Sequence, residues 1–334
     1  MWGLDGRKKA SLLFLIIAII VIPVLLLATG CSPTESPSRK EVADSQPAPL
    51  KIAATIMPLA DTARQIGGEK VEVVTVLPPG ASPHTYEPTP AQLKALAGSR
   101  LILKVGANLD DWIAGAAASS APGAKVLTVS EGLELLPEEE EHLPPASPAH
   151  QPGETGREEK GPAFNPHIWL DPVLMRDHVA PAVAQALAEL EPAAADYFMA
   201  HLKQWQDKLT QLDAAIRSAL AGVPQRTFIS FHPAWTYFAR RYNLVELEAV
   251  EEIPGQEPTA GHLAQLIQKA RVQGRPPLLL EPQFSPQAAQ VIAQEYGGRL
   301  YTVDPVGTNF SSYLDLMYHN LAVFREALGG GGTG

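Results

Sequence analysis

Of the nine histidines in this chain, three occupy places where a polypeptide would present a side chain to a ligand, and an aspartate occupies a fourth. His84 lies in Gly80-Ala81-Ser82-Pro83-His84-Thr85-Tyr86-Glu87-Pro88, and His167 in Asn165-Pro166-His167-Ile168-Trp169-Leu170-Asp171-Pro172. His232 directly follows the apolar run Thr227 to Phe231, and Asp304 follows the run Leu300 to Val303. Imidazole and carboxylate are groups with which proteins hold transition metals. Taken singly, a histidine at such a place is more often a hydrogen-bonded structural residue; it is the joint pattern that points to a ligand. Each candidate has a proline beside it (Pro83, Pro166, Pro233 and Pro305). Proline fixes its own φ and restricts the residue before it, so these loops should be stiff and lose little entropy in holding a ligand atom. His178, His201, His262 and His319 lie within helical patterns and read as surface or packing residues.

The elements that must position these residues alternate. Strands are expected over Leu50 to Ile56, Val71 to Leu77, Leu101 to Val105 and Val126 to Val129, with helices at Pro58 to Ile66, Thr89 to Ala97 and Asp110 to Ala118. Asp171 can cap, and Pro172 start, a further helix. A second series has strands at Thr227 to Phe231, Leu244 to Leu247, Leu278 to Glu281 and Leu300 to Val303, and helices at Ala234 to Arg241, Thr259 to Val272, Ser285 to Glu295 and Phe310 to Leu328. Strands alternating with helices imply βαβ units. The expected fold class is α/β, two lobes each with a mostly parallel sheet flanked by helices. Ligands of such sheets bind at the carboxyl ends of the strands, where His84, His232 and Asp304 fall.

Between the two series, Phe198, Leu202, Trp205, Leu209, Leu212, Ile216 and Leu220 recur at spacings of three and four. They predict one helix over residues 192–221, about 45 Å long at 1.5 Å per residue, which suits a rigid strut between lobes. The remaining organisation follows: a signal segment 1–31, a flexible tether 32–49, an N-terminal lobe 50–191, a C-terminal lobe 222–328 and a glycine-rich tail 329–334. Residues 137–162, with the run Glu138 to Glu141, His142, His150 and several prolines, read as a mobile acidic loop.

The stretches GASPHTYEPTP (80–90), NPHIWLDP (165–172), SFHPAWTYFARRY (230–242), EPQFS (281–285) and VDPVG (303–307) resemble the metal-binding lipoproteins of zinc and manganese ABC importers, the cluster A-I solute-binding proteins. The resemblance implies two α/β lobes bridged by a long helix, no enzymatic activity, and delivery of a metal to a permease and its ATPase. It implies that His84, His167, His232 and Asp304 take the positions of the four metal ligands. Pro83 stands where some zinc-type relatives carry a carboxylate, so Asp304 is favoured as the fourth ligand, with water as the fallback. Three imidazoles and one carboxylate suit tetrahedral Zn²⁺, whereas Mn²⁺ sites favour more oxygen. Zn²⁺ is therefore the expected cargo and Mn²⁺ the nearest rival. Because protons compete for imidazole, affinity should fall below about pH 6.5.

The N-terminus carries a separate message. Arg7, Lys8 and Lys9 precede an apolar run from Leu12 to Leu27, which ends in Ala28, Thr29, Gly30 and the only cysteine, Cys31. This order resembles a lipoprotein signal, with Ala28 where leucine is more usual, and predicts lipidation of Cys31 and an extracytoplasmic, membrane-anchored protein. An uncleaved anchor is the alternative, since the run approaches the ~20 residues that span a bilayer. One cysteine rules out an intrachain disulfide. The 334 residues are 46% hydrophobic, enough for a substantial core, and the net charge of −10 argues against a nucleic-acid partner. A monomer is expected. Two other classes stay open: a metal-dependent hydrolase, although the chain lacks an H-E-x-x-H helix, and an adhesin stabilised by its metal.

Overall fold

The computed structural model of the chain describes residues 48–138, 164–253 and 255–329. The signal segment, Cys31, most of the tether, the acidic run from Glu139 with His142 and His150, and the tail beyond Gly329 lie outside the described residues.

The first series folds as β1 (Leu50–Ala54), α1 (Met57–Gly67), β2 (Val71–Thr75), α2 (Pro90–Ala95), β3 (Leu101–Lys104), α3 (Trp112–Ser120) and β4 (Lys125–Thr128). Its strands are all parallel, in the order β2-β1-β3-β4. Ile52, Ala53 and Ala54, with Leu101, Ile102 and Leu103, are fully buried. Burial on both faces is why these central strands read as unbroken apolar runs. The C-terminal series repeats this plan with β5 (Thr227–Ser230), β6 (Val245–Ala249), β7 (Leu278–Leu280) and β8 (Leu300–Thr302), again all parallel, in the order β6-β5-β7-β8.

Between the sheets, α4 (Pro172–Leu174) runs through a π-helical stretch, Met175–Val179, into α5 (Ala180–Leu190). A 3₁₀ turn, Pro192–Ala194, then leads into α6 (Ala195–Leu220), 26 residues long. The buried residues of α6 are Phe198, Trp205, Leu209, Leu212, Ile216 and Leu220, six of the seven picked out by periodicity, with Leu202 half-buried beside them. This face packs on α1 and α5 on one side and on α10 (Tyr313–Leu328) on the other. One hydrophobic cluster therefore runs from Ile52 and Leu101 of the first sheet, through α6, to Phe228 and Leu279 of the second. The C-terminal lobe is completed by α7 (Thr236–Tyr242), α8 (Ala260–Val272) and α9 (Pro286–Tyr296).

Helix boundaries shift from the sequence expectation where a side chain has other work. Asp110 was expected to open α3, but its buried carboxylate accepts from the main-chain N–H of Val105 and Gly106 and from Thr55 Oγ1, so the helix begins at Trp112. The last helix begins at Tyr313, not Phe310, because Ser312 caps it by accepting from Asp315 N. Among the described residues no helix is long and apolar enough to cross a membrane.

Candidate metal centre

His84, His167 and His232, 83 and 65 residues apart in sequence, meet in the cleft between the sheets. His167 Nε2 lies 3.2 Å from His84 Nε2 and 3.1 Å from His232 Nε2. The ring centroids stand 4.9–5.3 Å apart. Among the described residues this is the one group of three or more His, Cys, Asp or Glu side chains with mutually close ligand atoms.

Each histidine is delivered differently. His84 rides the loop after β2, which Trp112 of α3 pins by donating from Nε1 to Pro83 O at 3.3 Å, with Tyr86 edge-on to the same indole. The loop ends where Thr89 makes a capping box with Gln92 at the start of α2. His232 leaves the central strand β5 directly. His167 belongs to a segment that fastens itself to the C-terminal lobe by several hydrogen bonds. Asn165 Nδ2 donates to Pro233 O at 2.7 Å, Trp169 Nε1 to Pro305 O at 2.6 Å, and Arg241 of α7 to Asp171 Oδ2 at 2.7 Å. Asp171 also caps α4 as expected, accepting from Val173 N.

The far side of two rings is fixed. His167 Nδ1 lies 2.9 Å from Asn165 Oδ1, which also accepts from His167 N at 3.0 Å. A main-chain N–H can only donate, so the amide oxygen faces it, and His167 Nδ1 must carry a proton. His232 Nδ1 donates to Glu281 Oε1 at 2.6 Å, and both side chains are buried. Second partners of this kind fix the tautomer of a metal-binding imidazole and raise its basicity. Both Nε2 atoms are thereby left as lone pairs, aimed at one another across 3.1 Å. Facing lone pairs repel unless a cation lies between them. Tetrahedral ligands at about 2.0–2.1 Å from one ion stand about 3.3 Å apart, which matches this spacing.

Electrostatics keeps two of the three donors free of protons and favours protonation of the third. Burial, with the neighbouring His232, takes His84 down to about 3, and burial pushes His167 well below the ordinary imidazole value. Burial pulls on His232 in the same direction, but the Glu281 carboxylate against its Nδ1, together with Glu246 and Glu251, outweighs that and holds it above the usual value.

Asp304, expected as the fourth member, is not among the groups that meet. Its Oδ1 accepts from Val306 N and Gly307 N at 3.1 and 2.8 Å, and its Oδ2 from Thr308 N at 2.6 Å. The carboxylate is occupied in folding its own loop. Asn165 and Glu281 are the functional residues that sequence reasoning did not assign. The usable signal for Glu281 was its position just past a strand end, beside the strand that delivers His232. The four histidines read as structural behave so: His178, His201 and His262 face main-chain carbonyls of Glu131, Ile66 and Ala249, and His319 packs on Phe310.

Comparison with known proteins agrees with this geometry. The family model "Zinc-uptake complex component A periplasmic" matches residues 52–327. The chain is 28% identical to the high-affinity zinc uptake system protein ZnuA of Bacillus subtilis over 329 residues, covering 96% of this chain and 98% of that protein. It is 24% identical to the manganese-binding lipoprotein MntA of Halalkalibacterium halodurans, covering 92% and 97%. A crystal structure of a ZnuA 138–173 deletion mutant with zinc bound superposes with a TM-score of 0.72 at 30% identity, covering 86% of this chain and 100% of that one. The chain belongs to the ZnuA family, the metal-binding, extracytoplasmic components of zinc and manganese ABC uptake systems, and is not an enzyme.

Proposed function

We propose that this protein captures Zn²⁺ through His84, His167 and His232, with a solvent molecule at the fourth position, and hands the ion to an ABC permease and its ATPase. The observation that carries the reading is the convergence of three Nε2 atoms, two of them bare because their Nδ1 protons are committed to Asn165 and Glu281. An all-imidazole donor set favours Zn²⁺ over Mn²⁺, which prefers oxygen. The relatives named for zinc and for manganese make the choice a matter of chemistry more than of fold. Hydrolysis is disfavoured, because the one carboxylate bonded to the cluster, Glu281, is buried and engaged by His232 and Gln283 and has no freedom to serve as a base.

The test is elemental analysis of protein purified without chelators, repeated on His84→Ala, His167→Ala and His232→Ala. One zinc per chain, lost in each variant, is expected. A predominance of manganese would transfer the reading to that ion, and full zinc occupancy in the variants would refute the site. Lipidation of Cys31 as the membrane anchor is part of the same proposal, supported by the basic and apolar order that precedes the cysteine. Partition of the wild type, but not of Cys31→Ala, into detergent is the expected result. The protein is proposed to act as a monomer.

A further inference from the structure

We infer that Asn165 is the positioning residue that holds the two buried imidazoles in register with one another, and that it sets how fast a captured ion is released. The inference rests on the proposed metal site and goes beyond it by naming what holds that site closed. Asn165 is buried, and its amide uses its full hydrogen-bonding capacity of two acceptor lone pairs and two donor hydrogens. Oδ1 accepts from His167 N and from His167 Nδ1 at 3.0 and 2.9 Å. Nδ2 donates to Pro233 O and to Thr236 Oγ1 at 2.7 and 3.2 Å. One end of the amide thus orients His167, and the other grips the residue that follows His232 and the first residue of α7.

The backbone of Asn165 is equally constrained. Its N–H donates to Leu136 O at 2.8 Å, and its carbonyl accepts from Tyr237 Oη at 3.0 Å. With its main chain tied to Leu136 on one side and to Tyr237 of α7 on the other, the side chain cannot follow Pro233 if the loop after β5 shifts relative to α7. Withdrawal of His232 from the ion therefore requires the Nδ2 bonds to break first. Pro233, with its φ fixed, transmits any displacement to His232 rather than absorbing it.

The two ends can be separated by substitution. Asn165→Asp keeps an acceptor for His167 Nδ1 but places a carboxylate oxygen where the donor to Pro233 O stood. Asn165→Ala removes both ends. The experiment loads wild-type and variant chains with Zn²⁺, follows transfer to a chromophoric chelator, and records Co²⁺ absorption spectra and apo-protein melting curves alongside. Removing an outer partner of a metal ligand typically costs about 10–100-fold in affinity, and that loss is expected here as faster release from both variants. Asn165→Asp should keep the wild-type Co²⁺ spectrum, since its His167 ring stays oriented, whereas Asn165→Ala should change it.

Release within about twofold of wild type from both variants, or a wild-type Co²⁺ spectrum in Asn165→Ala, overturns the inference while leaving the metal site intact. Failure of the wild type to take up Zn²⁺ would instead overturn the proposed function, and this inference with it. Should Asn165→Ala melt too low to be loaded, Asn165→Asp carries the test alone.

Discussion

Neighbouring strands β7 and β8 of the C-terminal sheet each end in a buried acid, Glu281 and Asp304, and the two have opposite fates. Asp304 is short and is followed by Pro305-Val306-Gly307. Gly307, at φ 85°, lets the loop turn back so that three consecutive N–H groups converge on the carboxylate. A side chain at that position would also require the end of Met57 to move aside. Glu281 is one methylene longer and reaches the adjacent strand's His232. A strand-end acid is free to serve a metal centre only where the nearby backbone leaves its lone pairs unclaimed. At β8 three main-chain N–H groups claim most of them; at β7 an imidazole and the Gln283 amide do.

Substitutions at the two strand ends, and at the ring that one of them serves, would break or sharpen this contrast. His232→Ala, which removes the ring that Glu281 serves, should abolish stoichiometric Zn²⁺ binding in a competition titration. Glu281→Gln, which keeps the shape but removes the charge, should weaken binding by about 10–100-fold. Asp304→Asn is the matching change at β8. Its new amide would oppose a main-chain donor, so the cost should fall on stability, about 1–3 kcal/mol in a denaturation experiment, with Zn²⁺ affinity close to wild type. A large affinity loss in Asp304→Asn with unchanged stability would restore it as a ligand.

The acids also shape the pH response. His84, at about 3, and His167, depressed by burial, stay neutral through mildly acidic conditions, while Glu281 keeps His232 above the ordinary value. A raised value means that the competing proton arrives at higher pH. As pH falls, His232 is therefore the ring that protonates, and affinity should drop by about tenfold per pH unit, the response to one proton. Three ordinary imidazoles would give a far steeper fall below about pH 6.5. Titrations between pH 7.5 and about 5.5 distinguish one proton from three, and in Glu281→Gln the onset should move to lower pH. The smallest effect concerns shape. With one core continuous through α6, small-angle scattering of apo and zinc-loaded protein should agree closely, and a clear compaction on loading would contradict a rigid strut.

Much of this was legible in the sequence because it is written in local periodicity. The apolar runs gave the eight strands their places, and the three- and four-residue spacing in α6 gave its buried face. The three histidines could be singled out because strand ends and flanking prolines are local features. What binds the far sides of His167 and His232 was not legible. Glu281 meets His232 across 49 residues, and Asn165 meets Pro233 across 68, so these bonds exist only once the lobes are assembled. Asp304 shows the complementary case: its position at a strand end was visible, but the competition from its own loop depends on backbone angles that residue types do not state.

The most direct test of the central claim is X-ray absorption fine structure of the Zn²⁺-loaded protein at neutral pH. Three imidazole nitrogens at about 2.0–2.1 Å, with one further light oxygen, is the predicted shell. A shell dominated by oxygen, or one with fewer than three imidazoles that His84→Ala leaves unchanged, would contradict a site built from His84, His167 and His232.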